Sequence, residues 1–547
     1  MCVCVSRRWT KSPNGRNPTG ILMTPIRTTL LAATVLAGTA MGGQAAEFDF
    51  AGPLDAYTLD PHAISNTLVF AILHNVYDSL VLRGPDLELE PGLATEWRQV
   101  DDTTWEFKLR EGVTFTNGNA FTADDVVFSF ERAKKGGMKS HLSGASAIEK
   151  VDDYTVRITT PQINPILPKQ IVNWLIMDKE WAEENGAVEP GKADNSTEGF
   201  ANRNAMGTGA YVISDRDPGV MTEFTANPDW WGDRSGNIDK ATFHVIANAS
   251  TRVAALMSGE VDMIDDVPPQ DTARIEKADG LSVKAQPNLR AVYLQPDVAR
   301  DELIHGSAEG NPFKDERVRE AMSLVIDTGA IQKRIMRGYS TPLGLPIAKE
   351  VTGSTEELNT PVTPDLDKAK ALMAEAGYAD GFDVTLDCTS DRFMNDEATC
   401  LAVGSFLSQI NINVTPRAQT TSRWAQQINP PGYDTSFVMV SYSPYTYDAH
   451  QFLVGLAVTR DADAGRGSFN IGGYSNPKVD ELTDQIGAET DPDKRAALME
   501  EAFAIIKADH AYIPIHQLQI LWGVRDGVEV VQQADLSYPL AWFSVDE

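Results

Sequence analysis

The chain has 547 residues, 42% hydrophobic and 23% charged, with a formal net charge of −30. That composition belongs to a globular protein with material for large cores, and the length suggests about three domains. So acidic a body repels phosphate, which excludes nucleic acid and anionic membrane as expected partners; the charge reads as a source of solubility.

Residues 1–45 differ in kind. They carry Arg7, Arg8, Lys11, Arg16 and Arg27 and no acid. Arg27 precedes an apolar run over residues 30–40, too short to span a bilayer. Gly43-Gln44-Ala45 then places small residues where a signal peptidase needs them. This reads as a cleaved signal region, and a start at Met23 would give a signal of ordinary length. No cysteine stands at the cleavage point, so the expectation is a periplasmic protein without a lipid anchor. No later stretch holds about 18 uninterrupted apolar residues. Cys2 and Cys4 lie in the part expected to be lost. Cys388 and Cys400 remain, an even pair in an oxidising compartment, and a disulfide between them is expected. Closing that short loop would stabilise by about 3 kcal/mol; two free buried thiols are the alternative.

An apolar segment at residues 68–82 opens the mature chain. His62 and His74 beside it have no third ligand at metal-site spacing and read as cap and core residues. In residues 91–134 the pattern sharpens. Trp105, Phe107 and Leu109 alternate with Thr104, Glu106 and Lys108, the period of a half-buried strand. Asn117-Gly118-Asn119 supplies a turn. Thr122 and Asp125 form a capping box, after which Val126, Val127, Phe130 and Ala133 fall on one helical face. Residues 151–160 and 241–246 read as strands, and 184–203 as surface loop. Ser250 or Thr251 caps a helix that stops at Gly259. The alternation over 281–295 predicts a strand crossing into a second lobe.

Beyond Asn311, Val318, Met322 and Val325 mark a helical face. Asp365 caps a helix carrying Ala369, Leu372, Met373 and Ala376 and ending at Gly377. A strand (Phe382, Val384, Leu386), a helix over 397–410 and a strand (Ile412, Val414) make a βαβ unit, hence a parallel pair. Residues 434–442 are almost continuously apolar, as in a central strand. A helix over 491–509 precedes the C-terminal strands. No G-x-S-x-G, H-E-x-x-H, Walker A or paired Cys-x-x-Cys motif occurs. Gly207-Thr208-Gly209 lacks the third glycine of a dinucleotide fingerprint. Asp461-x-Asp463-x-Gly465 lacks the glycine and bidentate glutamate of a calcium loop. No catalytic residue, metal or cofactor is expected.

Fourteen residues, Trp105, Phe107, Leu109, Arg110, Gly112, Val113, Phe115, Gly118, Thr122, Ala123, Asp125, Val126, Phe128 and Ser129, fit one long composite pattern. It resembles the signature of family 5 extracytoplasmic solute-binding proteins, the oligopeptide-, dipeptide- and nickel-binding group that serves ABC importers. Asn75-x-Tyr77-Asp78, Asn227-x-x-Trp230-Trp231 and Gly473-Tyr474-Ser475-Asn476-Pro477 resemble further family markers; Ala210 and Thr328 depart from the usual Pro and Arg. The resemblance implies a mixed α/β, two-lobed binding protein with hinge-crossing strands. Lobe one would comprise 46–290 and 510–547, with 86–206 as an extra subdomain, and lobe two 291–509. It also implies a monomer that captures a peptide or peptide-like solute and delivers it to an ABC permease and its ATPase subunit. A non-peptide solute (sugar, opine or nickel complex), or use of the fold as a chaperone or sensor, is the alternative.

For the ligand, the resemblance points to an arginine in the loop after the 382–387 strand, which pairs with the peptide carboxylate in dipeptide-binding relatives; Arg392 falls there. Tyr445 stands where those relatives carry the aspartate that holds the peptide ammonium, and Asp448 lies nearby. Trp424 and neighbouring tyrosines would form an aromatic wall or part of the core. Thr208, in the family's G-T-G turn, completes the candidate set.

Overall fold

Two long strands, Leu281–Pro296 and Ile513–Arg525, tie the molecule together. In the computed structural model, which describes residues 46–192, 199–429 and 433–546, they pair antiparallel in the middle of an eleven-stranded mixed sheet. The signal region falls outside the described residues. On one side Ile513–Arg525 pairs with Met263–Ile264, and the sheet continues through Ala46–Gly52 and Ile238–Val245 to the hairpin of Met221–Ala226 and Tyr211–Asp217. On the other, Leu281–Pro296 pairs with Phe437–Tyr442, followed by Phe382–Thr389 and Ile412–Gln419. Each long strand therefore serves both halves of the sheet.

The local reasons are plain in the residues. Phe437–Tyr442 lies between two neighbours and is buried on both faces, so its residues are apolar without alternation. Phe382–Thr389 and Ile412–Gln419 run parallel because the helix Asp396–Leu407 returns the chain between them. The Cys388 and Cys400 sulfurs are joined as a disulfide that ties strand to helix within one core. Phe48, Phe50, Phe243 and Trp522 form a second core on the far half, closed by Tyr538 and Phe543 of the C-terminal segment.

A four-stranded antiparallel sheet (Ala94–Asp101, Thr104–Leu109, Thr155–Thr159, Ala147–Asp152) stands apart. Phe107, Val126 and Phe130 are fully buried in its own core, each stabilising by about 1.5–3 kcal/mol. The helix Ala123–Ala133 packs there behind its capping box: Asp125 accepts the Thr122 N–H at 2.9 Å, and Thr122 accepts from Asp124 at 3.3 Å. Simple alternation fails at one point. Glu106 is buried, because Arg98 and Arg157 from the two flanking strands reach its carboxylate at 2.7 and 2.9 Å. The cap of helix Ala249–Ser258 is Asn248, whose side chain accepts the Thr251 N–H, rather than Ser250 or Thr251. Among the described residues no helix is long and apolar enough to cross a membrane.

Candidate ligand-binding site

The register of the two long strands breaks between Pro287 and Ala291. Pro287 has no N–H to give to the ladder. Asn288, Leu289 and Arg290 follow as unmatched residues, and a bulge of this kind re-aims side chains out of the sheet. Two bonds fix the step: Gln517 Nε2 donates to the Asn288 carbonyl at 2.7 Å, and the Leu289 N–H donates to the Ala534 carbonyl at 3.3 Å. All three bulge residues line a cavity of about 170 Å³. Its other walls come from the N-terminal half (His141, Asn173), from the loop after Phe437–Tyr442 (Tyr445, Tyr447) and from the C-terminal segment (Asp535).

Contacts in and around this cavity join parts far apart in sequence. The His141 and Tyr445 rings lie with centroids 4.0 Å apart. Arg83 stacks on the Tyr447 ring at 3.7 Å and donates to the Thr446 carbonyl at 3.1 Å. Lys169 reaches Asp448 and Thr352, each at 3.5 Å. Tyr447 holds this position at a φ of 58°, a left-handed conformation uncommon for an aromatic residue.

The charges inside are unbalanced. Arg290 is half-buried, and its guanidinium makes no hydrogen bond or ion pair among the described residues. Burial, and then the like charge of Arg392, push its pKa down to about 10. Arg392 keeps exposed surface, yet desolvation by the surrounding protein lowers its pKa. Its guanidinium sits 4.9 Å from the Trp424 ring centroid. Among the described residues Asp535 is the one carboxylate lining the cavity; it takes the Ser537 N–H at 3.0 Å and faces Arg83 and Tyr447. His141 is held neutral, its pKa pushed down to about 4 by burial, with Ser65 Oγ 2.7 Å from Nε2. The cavity thus offers excess fixed positive charge, aromatic faces and amide groups, a setting that favours a solute with a carboxylate.

The residues singled out from sequence part company here. Tyr445 lines the cavity; Arg392 stands beside Arg290. Trp424 is buried, 3% exposed, and acts as the platform under Arg392 rather than as a cavity wall. Asp448 must be corrected. Its fully buried carboxylate is gripped by Arg495 through bonds of 2.6 and 2.7 Å and also caps a short helix through the His450 N–H. Burial works to raise its pKa, but Arg495 outweighs that and holds it below the usual range. No oxygen is left for a solute amine. Thr208 is likewise spent: it is 1% exposed and donates to Asp78 at 2.8 Å. Arg290, Asp535, Arg83 and His141 were not foreseen. For Arg290 the signal was present, since Pro287 and Asn288 interrupt an alternating strand.

Residues 88–463 match the model for bacterial extracellular solute-binding proteins, family 5, middle region. The chain belongs to that family. A glutathione-binding protein, GsiB, from Shigella boydii is 26% identical over 469 residues, covering 84% of this chain and 86% of that one. Among solved structures, the periplasmic binding protein DppA of Helicobacter pylori in complex with the peptide STSA superposes with a TM-score of 0.74 at 22% identity, over 92% of this chain and 98% of that one. AgaA of A. tumefaciens in complex with agropinic acid gives 0.72 at 22%, over 92% and 99%. The family 5 fold, two lobes around a solute, is therefore the fold of this chain, and its mixed α/β sheet with two shared strands is the form it takes.

Proposed function

We propose that this protein is a periplasmic clamp that captures a small carboxylate-bearing solute, a peptide or peptide-like molecule, and hands it unchanged to a membrane permease driven by a separate ATPase subunit. Arg290 carries the reading. A guanidinium without a partner, half-buried in a cavity walled by both halves of the protein, costs free energy unless an anion joins it. Glutathione, the peptide STSA and agropinic acid, named with the relatives, all bear carboxylates. Lobe one is assigned as 46–290 with 510–547, including 86–206, and lobe two as 291–509. A solute touching Arg290 and Tyr445 together bridges them and favours the shut form by its differential affinity. Arg392 and Tyr445 are placed at the solute, with Trp424 behind Arg392.

Mass spectrometry of protein purified without denaturation tests the reading. The expected result is one small carboxylic acid, released on unfolding, whose return raises the melting temperature by mass action. Protein that neither carries such a solute nor gains stability from a panel of short peptides would overturn it.

A further inference from the structure

A second chamber of about 120 Å³ adjoins the first. The two share Arg83, Val172, Asn173, Asp535 and Ser537, which stand at the neck where the two linings meet. Beyond the neck the character changes. Trp230, Tyr538 and Trp542 supply aromatic walls, and Leu82, Val172 and Pro539 aliphatic ones. The Tyr538 hydroxyl is turned away, donating to Asp265 at 2.6 Å, so its ring is what the chamber sees. At one end lies Asp78, whose Oδ2 takes the Trp231 N–H at 2.7 Å and the Thr208 hydroxyl at 2.8 Å. Thr208 therefore acts on the site through Asp78.

We propose that this chamber receives an uncharged apolar arm of the bound solute while the carboxylate stays at Arg290. The proposal rests on the carboxylate reading above and adds what that reading lacks: a determinant of which solute is preferred. Size supports it. At about 120 Å³ the chamber is of the same order as an apolar cavity of about 150 Å³ that holds a benzene ring, a size suited to one ring or one branched aliphatic group. The polar neck, with Asn173, Ser537 and the Asp535–Arg83 pair of opposite charges, suits an amide or amine linking head to arm. A charged arm gains nothing: a second carboxylate meets Asp78, and an ammonium must give up its water among aromatic walls.

Calorimetric titration with glycyl-glycine, glycyl-phenylalanine and phenylalanyl-glycine tests the chamber. At least one aromatic dipeptide should bind about tenfold or more tighter than glycyl-glycine, the gain expected from burying a benzyl group. Ala541→Phe, which fills the chamber, should abolish that gain and leave glycyl-glycine binding unchanged. Should that variant fail to fold, a 4-nitrophenylalanine version of the tighter dipeptide supplies a second readout: it should quench tryptophan fluorescence in the native protein and quench it less in Trp542→Phe. Equal affinity for all three dipeptides would overturn the chamber and leave the carboxylate reading standing. Binding of none would overturn both.

Discussion

Two arginines of this protein sit in opposite circumstances. Arg495 is buried beneath the loop after Phe437–Tyr442, with both carboxylate oxygens of Asp448 in its fork. Arg290 lines the cavity at the strand bulge and has no such partner among the described residues. Arg132, like Arg495, is matched: Asp60 takes it at 2.6 and 2.7 Å, and His62 Nδ1 stands 3.0 Å away. Buried arginines that serve this fold are satisfied from within it, by a carboxylate at Arg495 and Arg132 and by backbone carbonyls of Phe313, Lys314 and Asp509 at Arg319. Arg290 has neither kind of partner among the described residues. The same comparison separates Asp448, consumed by structure, from Asp535, which lines the cavity beside Arg83 and Tyr447.

Breaking the matched side of the comparison has the largest effect. Asp448→Ala strands Arg495 without its counter-charge, and chemical denaturation should show a loss of about 3–5 kcal/mol. Arg132→Leu should do the same by stranding Asp60, whose pKa burial tends to raise and Arg132 lowers further. Reduction of Cys388–Cys400, or replacement of both by serine, should cost about 3 kcal/mol, read from the denaturation midpoint. On the unmatched side, stability should hardly move and binding should. Tyr445→Ala removes a ring contact in the wall of the cavity, so affinity should fall by about 0.5–1.5 kcal/mol with little change in melting temperature.

His141 gives the smallest and most diagnostic effect. Its folded pKa of about 4 lies below the ordinary 6.5, so the unfolded or opened chain binds the proton first. Its contribution is complete above about pH 6.5 and is lost as pH falls toward 4. Asp125 and Asp265, raised to about 6 by burial, act in the opposite sense, so the effect is read as a difference. His141→Gln should flatten the dependence of affinity on pH across that interval; an unchanged slope would remove His141 from the closing contact.

Much of the scaffold was legible because its signals are local. The capping box of Thr122 and Asp125, the parallel pair around Asp396–Leu407 and the central strand Phe437–Tyr442 each declare themselves in a few consecutive residues. Glu106 was misread because its burial depends on Arg98 and Arg157, brought in by the neighbouring strands. The site was less legible for the same reason. Asp448 looks like a free acid until Arg495, 47 residues away, is folded onto it. Asp535 reaches the cavity only because the C-terminal segment packs back on the far core.

The central claim is that Arg290 is unpaired because the solute is its partner. Calorimetric titration of native protein and Arg290→Gln with the acid released on unfolding tests it most directly. The account predicts folded protein, no less stable than native in the unliganded form, whose affinity falls by about 1.5–3 kcal/mol, the range for a charge-assisted hydrogen bond. Affinity unchanged by the substitution would contradict it.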